Sequence, residues 1–134
     1  MIAKIDSATL QGLEALPVTI EVNVTRSPQP RFLIVGLPDT AVRESQERVL
    51  SALITNGYKI NLKQIVVNMA PADVKKEGSG FDLPIAIGIL LSMETFERED
   101  IGKYMFVGEL SLDGSIQPIK GVLPIHIKDR EMGY

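Results

Sequence analysis

Lys75-Lys76-Glu77-Gly78-Ser79-Gly80-Phe81-Asp82 runs without a break into Leu83-Pro84-Ile85-Ala86-Ile87-Gly88-Ile89-Leu90-Leu91. This junction of a charged, glycine-bearing loop with an uncharged segment decides how the chain is read. Pro84 is accepted in a first helical turn, where its missing N–H has no intrahelical partner to lose, and Asp82 is placed to cap that turn. A helix apolar on every side has no face to offer water, so it must lie in the core. Gly88 on that helix lets another backbone approach closely. The loop is therefore held at its exit by a rigid element.

Upstream, Ile2 to Leu10 and Val18 to Val24 alternate apolar and polar residues, the period of strands with one buried face, with Gly12 to Pro17 as their connection. Arg31 to Val35 is a third, compact strand. Pro38 and the pair Asp39-Thr40 signal the start of a helix in which either polar side chain can cap the first amides. That helix carries Val42, Val49, Leu50, Leu53 and Ile54 on one stripe and stops at Asn56-Gly57. Ile65-Val66-Val67 reads as an internal strand. Downstream, Met105 to Val107 and Ser115 to Ile119 read as two short strands around the turn Asp113-Gly114, and a last helix starts near Lys120-Gly121. Three strands, helix, strand, buried helix, hairpin and helix make an α+β (mixed α/β) sandwich, a mixed sheet with helices on one side.

The 134 residues suffice for one domain, and a hydrophobic fraction of 45% gives it a core. The formal charge of −3 argues against a domain whose main task is neutralising nucleic-acid phosphates, although a local basic face is compatible with it. Absence of cysteine excludes disulfides, thiolate metal sites and a cysteine nucleophile, and the single His126 excludes a multi-histidine metal site within this chain. With no Trp and seven Phe or Tyr, a base-stacking platform is disfavoured. The longest apolar run covers nine residues where a bilayer needs about 20, so no membrane contact and a cytoplasmic location are expected. His126 to Tyr134 reads as a helix that finishes with the sequence, which points to a piece of a longer protein.

No window fits the Gly-x-x-x-x-Gly-Lys-Ser/Thr loop or Gly-x-Gly-x-x-Gly. Gly78-Ser79-Gly80 ahead of a helix has free amides for an anion, set against a plain need for glycines in a tight turn. Asp73, Glu77, Asp82 and Glu109 fall at loop or strand ends, where acid–base chemistry would require them to converge; the ordinary role of such residues is to cap helices or face water. His126 has no identifiable nucleophile beside it. Lys59, Lys63, Lys75 and Lys76 are the candidate nucleic-acid contacts, or else a solvated surface.

Lys76 to Asp82 followed by an apolar helix, then Gly108-Glu109-Leu110-Ser111-Leu112-Asp113-Gly114 and Pro118-Ile119-Lys120-Gly121-Val122-Leu123, resembles the proteolytic domain of Lon. That family's nucleophile sits in Lys-Asp-Gly-Pro-Ser-Ala-Gly, and its base is the lysine of Gly-Gly-Leu-Lys. Alignment within each motif puts Gly80 at the serine position and Leu123 at the lysine position, so both catalytic groups are lost. Ser79 lies one residue early and Lys120 three residues early, leaving a shifted pair as the enzyme alternative.

A closer resemblance covers nearly the whole chain. Val35-Gly36-Leu37-Pro38-Asp39-Thr40-Ala41-Val42-Arg43-Glu44-Ser45, Val67-Asn68-Met69-Ala70-Pro71-Ala72-Asp73, Lys76-Glu77-Gly78, Phe81 to Ala86 and Gly108 to Gly114 are similar, in order and spacing, to the amino-terminal domain of the ComM/YifB family of magnesium-chelatase-like AAA+ ATPases. The resemblance implies a Lon-protease-like (ribosomal-protein domain-2-like) fold over residues 1–134, with the ATPase motor following beyond residue 134. It implies no cofactor in this segment, ATP and Mg in the motor, a homo-oligomeric, hexameric ring, and DNA branch migration in natural transformation by the whole protein. The resulting expectation is a catalytically silent domain that organises an attached ATPase, with Lys75, Lys76, Glu77, Gly78, Ser79 and Gly80 as its interaction loop. The alternatives are a residual serine–lysine peptidase or other hydrolase, and a nucleic-acid-contacting module.

Overall fold

The structure is a computed structural model and describes residues 1–96, 100–119 and 132–133. Its main sheet is mixed, with strands in the order β1-β2-β4-β3 (β1, Ile2–Gln11; β2, Glu14–Arg26; β3, Arg31–Val35; β4, Lys63–Ala70). The β1–β2 and β2–β4 pairs are antiparallel and β3–β4 is parallel. Period-2 alternation sends one row of side chains inward across all four strands: Ala3, Val22, Val67 and Ile34 are register partners in turn. Each of them is buried. The outer rows are Lys4, Glu21, Asn68, Val35 and Ile2, Asn23, Val66, Leu33. The expected α+β class with a mixed sheet is what the chain forms.

Helix α2 (Asp82–Ser92) covers the inner face of β1 and β2, and α1 (Asp39–Thr55) packs on α2. α2 is buried as its composition requires; Ile85 and Ile89 have no exposure. Gly88 permits the close approach foreseen for it, but what approaches is a side chain of the sheet. A Cβ there would stand 2.5 Å from Val22 Cγ2. Among described residues, a hairpin of β5 (Glu109–Leu110) and β6 (Ile116–Gln117) completes the arrangement.

Several local expectations are corrected. The β1–β2 connection is Gly12-Leu13 alone, with Gly12 at φ +64°, and Ala15 to Pro17 belong to β2. Pro17 fits because β4 first pairs with β2 at Thr19, leaving β2 one neighbour there. Neither Asp39 nor Thr40 caps α1: Pro38 occupies the N-cap and no side-chain cap bond forms. The buried stripe of α1 is Ser45, Val49, Ala52 and Leu53, whereas Ile54 is 60% exposed. The hairpin does turn at Asp113-Gly114, with Gly114 at φ +94°, but its first strand is Glu109–Leu110. Met105 makes only an isolated parallel bridge to Asp6, because Ser7 Oγ and Asp6 O hold Phe106 against the edge of β1. The expected helix from Lys120-Gly121, and with it Lys120, Leu123 and His126, lies outside the described residues.

Candidate functional site

The loop from Pro71 to Phe81 joins the end of β4 to α2, and two anchors shape it. The first is Lys76. Its side chain folds back beneath the loop, and its Nζ donates to the carbonyls of Pro71 (2.5 Å) and Val74 (2.8 Å). Only 1% of it is exposed. This corrects the expectation that Lys76 is a surface contact: a lysine whose charge is spent on turn carbonyls cannot meet a partner. Lys75 is exposed and paired with Glu77 at 2.9 Å, and that carboxylate raises its pKa.

The second anchor is Asp82. Expected to cap α2, it makes no cap bond. Its carboxylate instead accepts from Ser45 Oγ (2.8 Å), from Arg48 Nε (2.5 Å) and Nη2 (3.1 Å), and from the N–H of Leu110 (3.1 Å). One buried anion, 1% exposed, thus joins α1, α2 and β5. The Asp82 hydrogen bond is the main reason the Arg48 pKa is raised, with Glu109 and Glu44 adding attraction. Sequence reasoning missed Ser45 and Arg48 as partners of Asp82. A readable signal existed: Ser45, Val49, Ala52 and Leu53 stand at i, i+4, i+7 and i+8, and a hydroxyl on an apolar stripe needs a partner.

Of the four candidate carboxylates, Asp82 and Glu109 act together on Arg48. Asp73 is exposed and Glu77 pairs with Lys75, so the four do not share a catalytic pocket. No group of three or more acidic or histidine side chains among the described residues can hold a metal ion.

Between the anchors, Gly78, at φ +86°, turns the chain, and Glu77 N–H donates to the buried Thr9 hydroxyl. The exit is stitched to Gly108: its N–H donates to Gly80 O at 2.8 Å, and its carbonyl accepts from Leu83 N–H at 2.9 Å. Space at Gly80 is short, since a Cβ would lie 3.0 Å from Val107 Cγ1 and 3.1 Å from Ile119 Cδ1. Beside the loop lies a cleft of about 420 Å³ lined by Thr9, Leu10, Ser79, Gly80, Val107 and Ile119, among others. Ser79 is half-buried there, and among the described residues no lysine reaches it. Lys59 and Lys63 lie at the opposite end of β4 from Lys75 and Lys76, so the four candidate lysines do not form one face.

The fold and the loop define a mixed-sheet α+β domain whose glycine turn is clamped between a buried lysine and a buried aspartate. The chain belongs to the family described as subunit ChlI of Mg-chelatase, whose model matches residues 20–134. It is 44% identical to the Competence protein ComM of Haemophilus influenzae over 123 residues, 92% of this chain and 24% of that protein. It is 42% identical to the uncharacterized protein YifB of Escherichia coli over 112 residues, 84% of this chain and 22% of that protein. An uncharacterized protein of Mycobacterium bovis is 34% identical over 128 residues, 96% of this chain and 25% of that protein. The chain therefore spans about a quarter of the length of the curated relatives it matches.

Proposed function

We propose that this chain is a non-catalytic organising domain of a ComM/YifB-like AAA+ ATPase, and that the outer part of its loop, exposed Lys75, Glu77 and Gly78 with half-buried Ser79 and Gly80, meets the motor or a neighbouring subunit. The observation that carries the reading is the double anchoring of the loop. Lys76 and Asp82, the charged residues three positions either side of Ser79, are both committed to holding backbone and helices in place. Fixed shape with an exposed tip suits a contact surface. For the whole protein the reading is a ring, hexameric by the family resemblance, that binds ATP and Mg in a following domain, acts on DNA by branch migration and resides in the cytoplasm. The relatives named ComM and YifB support it, as does the absence, among the described residues, of any helix long and apolar enough to cross a membrane.

The test uses the full-length protein carrying Lys75→Glu, a change at an exposed side chain that sets two like charges side by side in the loop. Folding should be unchanged, while ring assembly by analytical ultracentrifugation and the ATPase rate should fall several-fold. If neither moves, the loop is a connection only. Peptide cleavage by the purified protein that disappears in Ser79→Ala would establish the hydrolase alternative.

A further inference from the structure

β1 is an edge strand of the main sheet, and its free side changes character along its length. Gln11 and Glu14 face each other across the two-residue turn Gly12-Leu13, so they form a hydrogen-bonded pair. Such pairs alternate along an antiparallel ladder. Thr9 with Leu16 and Ser7 with Val18 are the next bonded pairs, which turns the N–H and C=O of Leu10, Ala8 and Asp6 away from β2. Asp6 has a partner on that side, since its carbonyl accepts from Phe106 N–H at 2.9 Å. Beyond Phe106 that segment leaves the edge, and Gly108 is bonded to Gly80 and Leu83 instead. The outward backbone groups of Ala8 and Leu10 therefore have no partner among the described residues.

These are not ordinary solvated edge positions. Ala8 is 4% exposed, Thr9 is 2% exposed and Leu10 is half-buried, and all three line the cleft of about 420 Å³ beside the loop. A buried N–H or C=O left unbonded costs free energy, and nearly all such groups in folded proteins have partners. Leu10 repeats the donor and acceptor of Ala8 about 6.8 Å further along the strand. The complement of that pattern is the backbone of another extended chain. The facing wall is Gly78, Ser79, Gly80, Val107 and Ile119, and the carboxylate at its rim, Glu77, is paired with Lys75, so small uncharged side chains fit there.

We propose that an extended, uncharged segment from the rest of the full-length protein adds to β1 at Ala8 and Leu10 as a further strand. The proposal rests on the reading above that this chain is one domain of a longer protein, and gives that domain's contact a backbone-paired form. Ala8-Thr9-Leu10 has no charge, proline or bulge, the devices that keep an open edge from pairing indiscriminately. An edge so unprotected is safe where its partner is always at hand, and a segment on the same polypeptide is held at high effective concentration. A strand borrowed from passing proteins is not. The relatives have the chain to supply it, since the matched region covers 24% and 22% of two of them.

The experiment is amide hydrogen exchange, resolved to single residues, in this 134-residue chain and in the full-length protein. Exchange at Ala8 and Leu10 should slow by at least about a hundredfold in the full-length protein, while Ser7 and Thr9, already bonded to β2, should be protected in both. Leu10→Pro removes an outward N–H and no ladder bond, so it should reduce ring assembly of the full-length protein several-fold. It should also melt above Thr9→Pro, which does break a ladder bond. If the two proline variants melt alike, the exchange rates alone decide. Equal exchange at Ala8 and Leu10 in both proteins overturns the proposal, even where Lys75→Glu disrupts assembly as expected of the loop. Protection of Ala8 and Leu10 with no effect of Lys75→Glu upholds the added strand and removes the loop contact. Protection that arises only when a peptide of alternating valine and serine is added assigns the cleft to passing polypeptides, and this too overturns the proposal.

Discussion

At the scale of single residues, two side chains that resemble surface charges in the sequence are interior fixtures. Asp82 satisfies four donors while 1% exposed, and Arg48 depends on it. Removing the charge from one partner of such a pair leaves the other uncompensated, so Asp82→Asn should cost about 3 kcal/mol in urea unfolding. Arg48→Met in the same background should cost less than it does alone. Lys76 and Lys75 are adjacent yet opposite in character. Lys76→Glu should destabilise by about 3 kcal/mol or more, because it aims an anion at the carbonyls of Pro71 and Val74. Lys75→Glu, at a 74% exposed side chain, should stay within about 0.5 kcal/mol. The hairpin gives a pH signature. Asp113 Oδ1 accepts from Ser115 N–H, which holds that carboxyl below its ordinary value near 3.8. A depressed folded-state pKa contributes stability that is present above the unfolded value and lost as pH falls through the folded one. NMR titration should therefore give Asp113 a midpoint below that of a matching peptide, with the turn loosening only at more acidic pH.

At the scale of elements, α2 shows how packing overrules propensity. Gly88→Ala adds helix propensity of up to about 1 kcal/mol, but its methyl group would meet Val22 Cγ2 at 2.5 Å and push helix from sheet. Overpacking of this kind costs about 1 to 3 kcal/mol, so the variant should melt below wild type. The nine apolar residues from Leu83 made this element legible, since only a core accepts such a segment. Less legible were the edges. Met105 to Val107 has a strand's composition but contributes only one bridge to β1, while Glu109–Leu110 forms the hairpin strand, because Asp113-Gly114 and the bond from Ser111 N–H to Ser115 O set the register. Propensity names a short segment's preference, and the turn and its neighbours choose its partner. The caps of α1 failed similarly: Asp39 and Thr40 are good cap residues, but Pro38 takes the position.

At the scale of the whole molecule, the cleft beside Ser79 is where hydrolase chemistry would reside, and the motif resemblance to Lon aligns Gly80 with that family's nucleophile. Gly80→Ser should yield no peptidase: the new side chain starts 3.0 Å from Val107 Cγ1, and no lysine among the described residues faces it. Purified variant and wild type should cleave a fluorogenic peptide at the same background rate. Much of the architecture was present in the sequence itself. Alternation marked the strands, the uncharged helix marked the core, and Gly78-Ser79-Gly80 marked the loop, because these follow from periodicity and local backbone freedom. The tertiary structure alone decided which charges are structural and which are free. Lys75 and Lys76 are indistinguishable as neighbours in a chain, yet one is solvated and one is buried on two carbonyls. Arg26 and Lys63, 37 positions apart, become cross-strand partners only when β2 and β4 lie side by side. Electrostatic role depends on burial and on partners brought from distant positions, and neither is a property of local sequence.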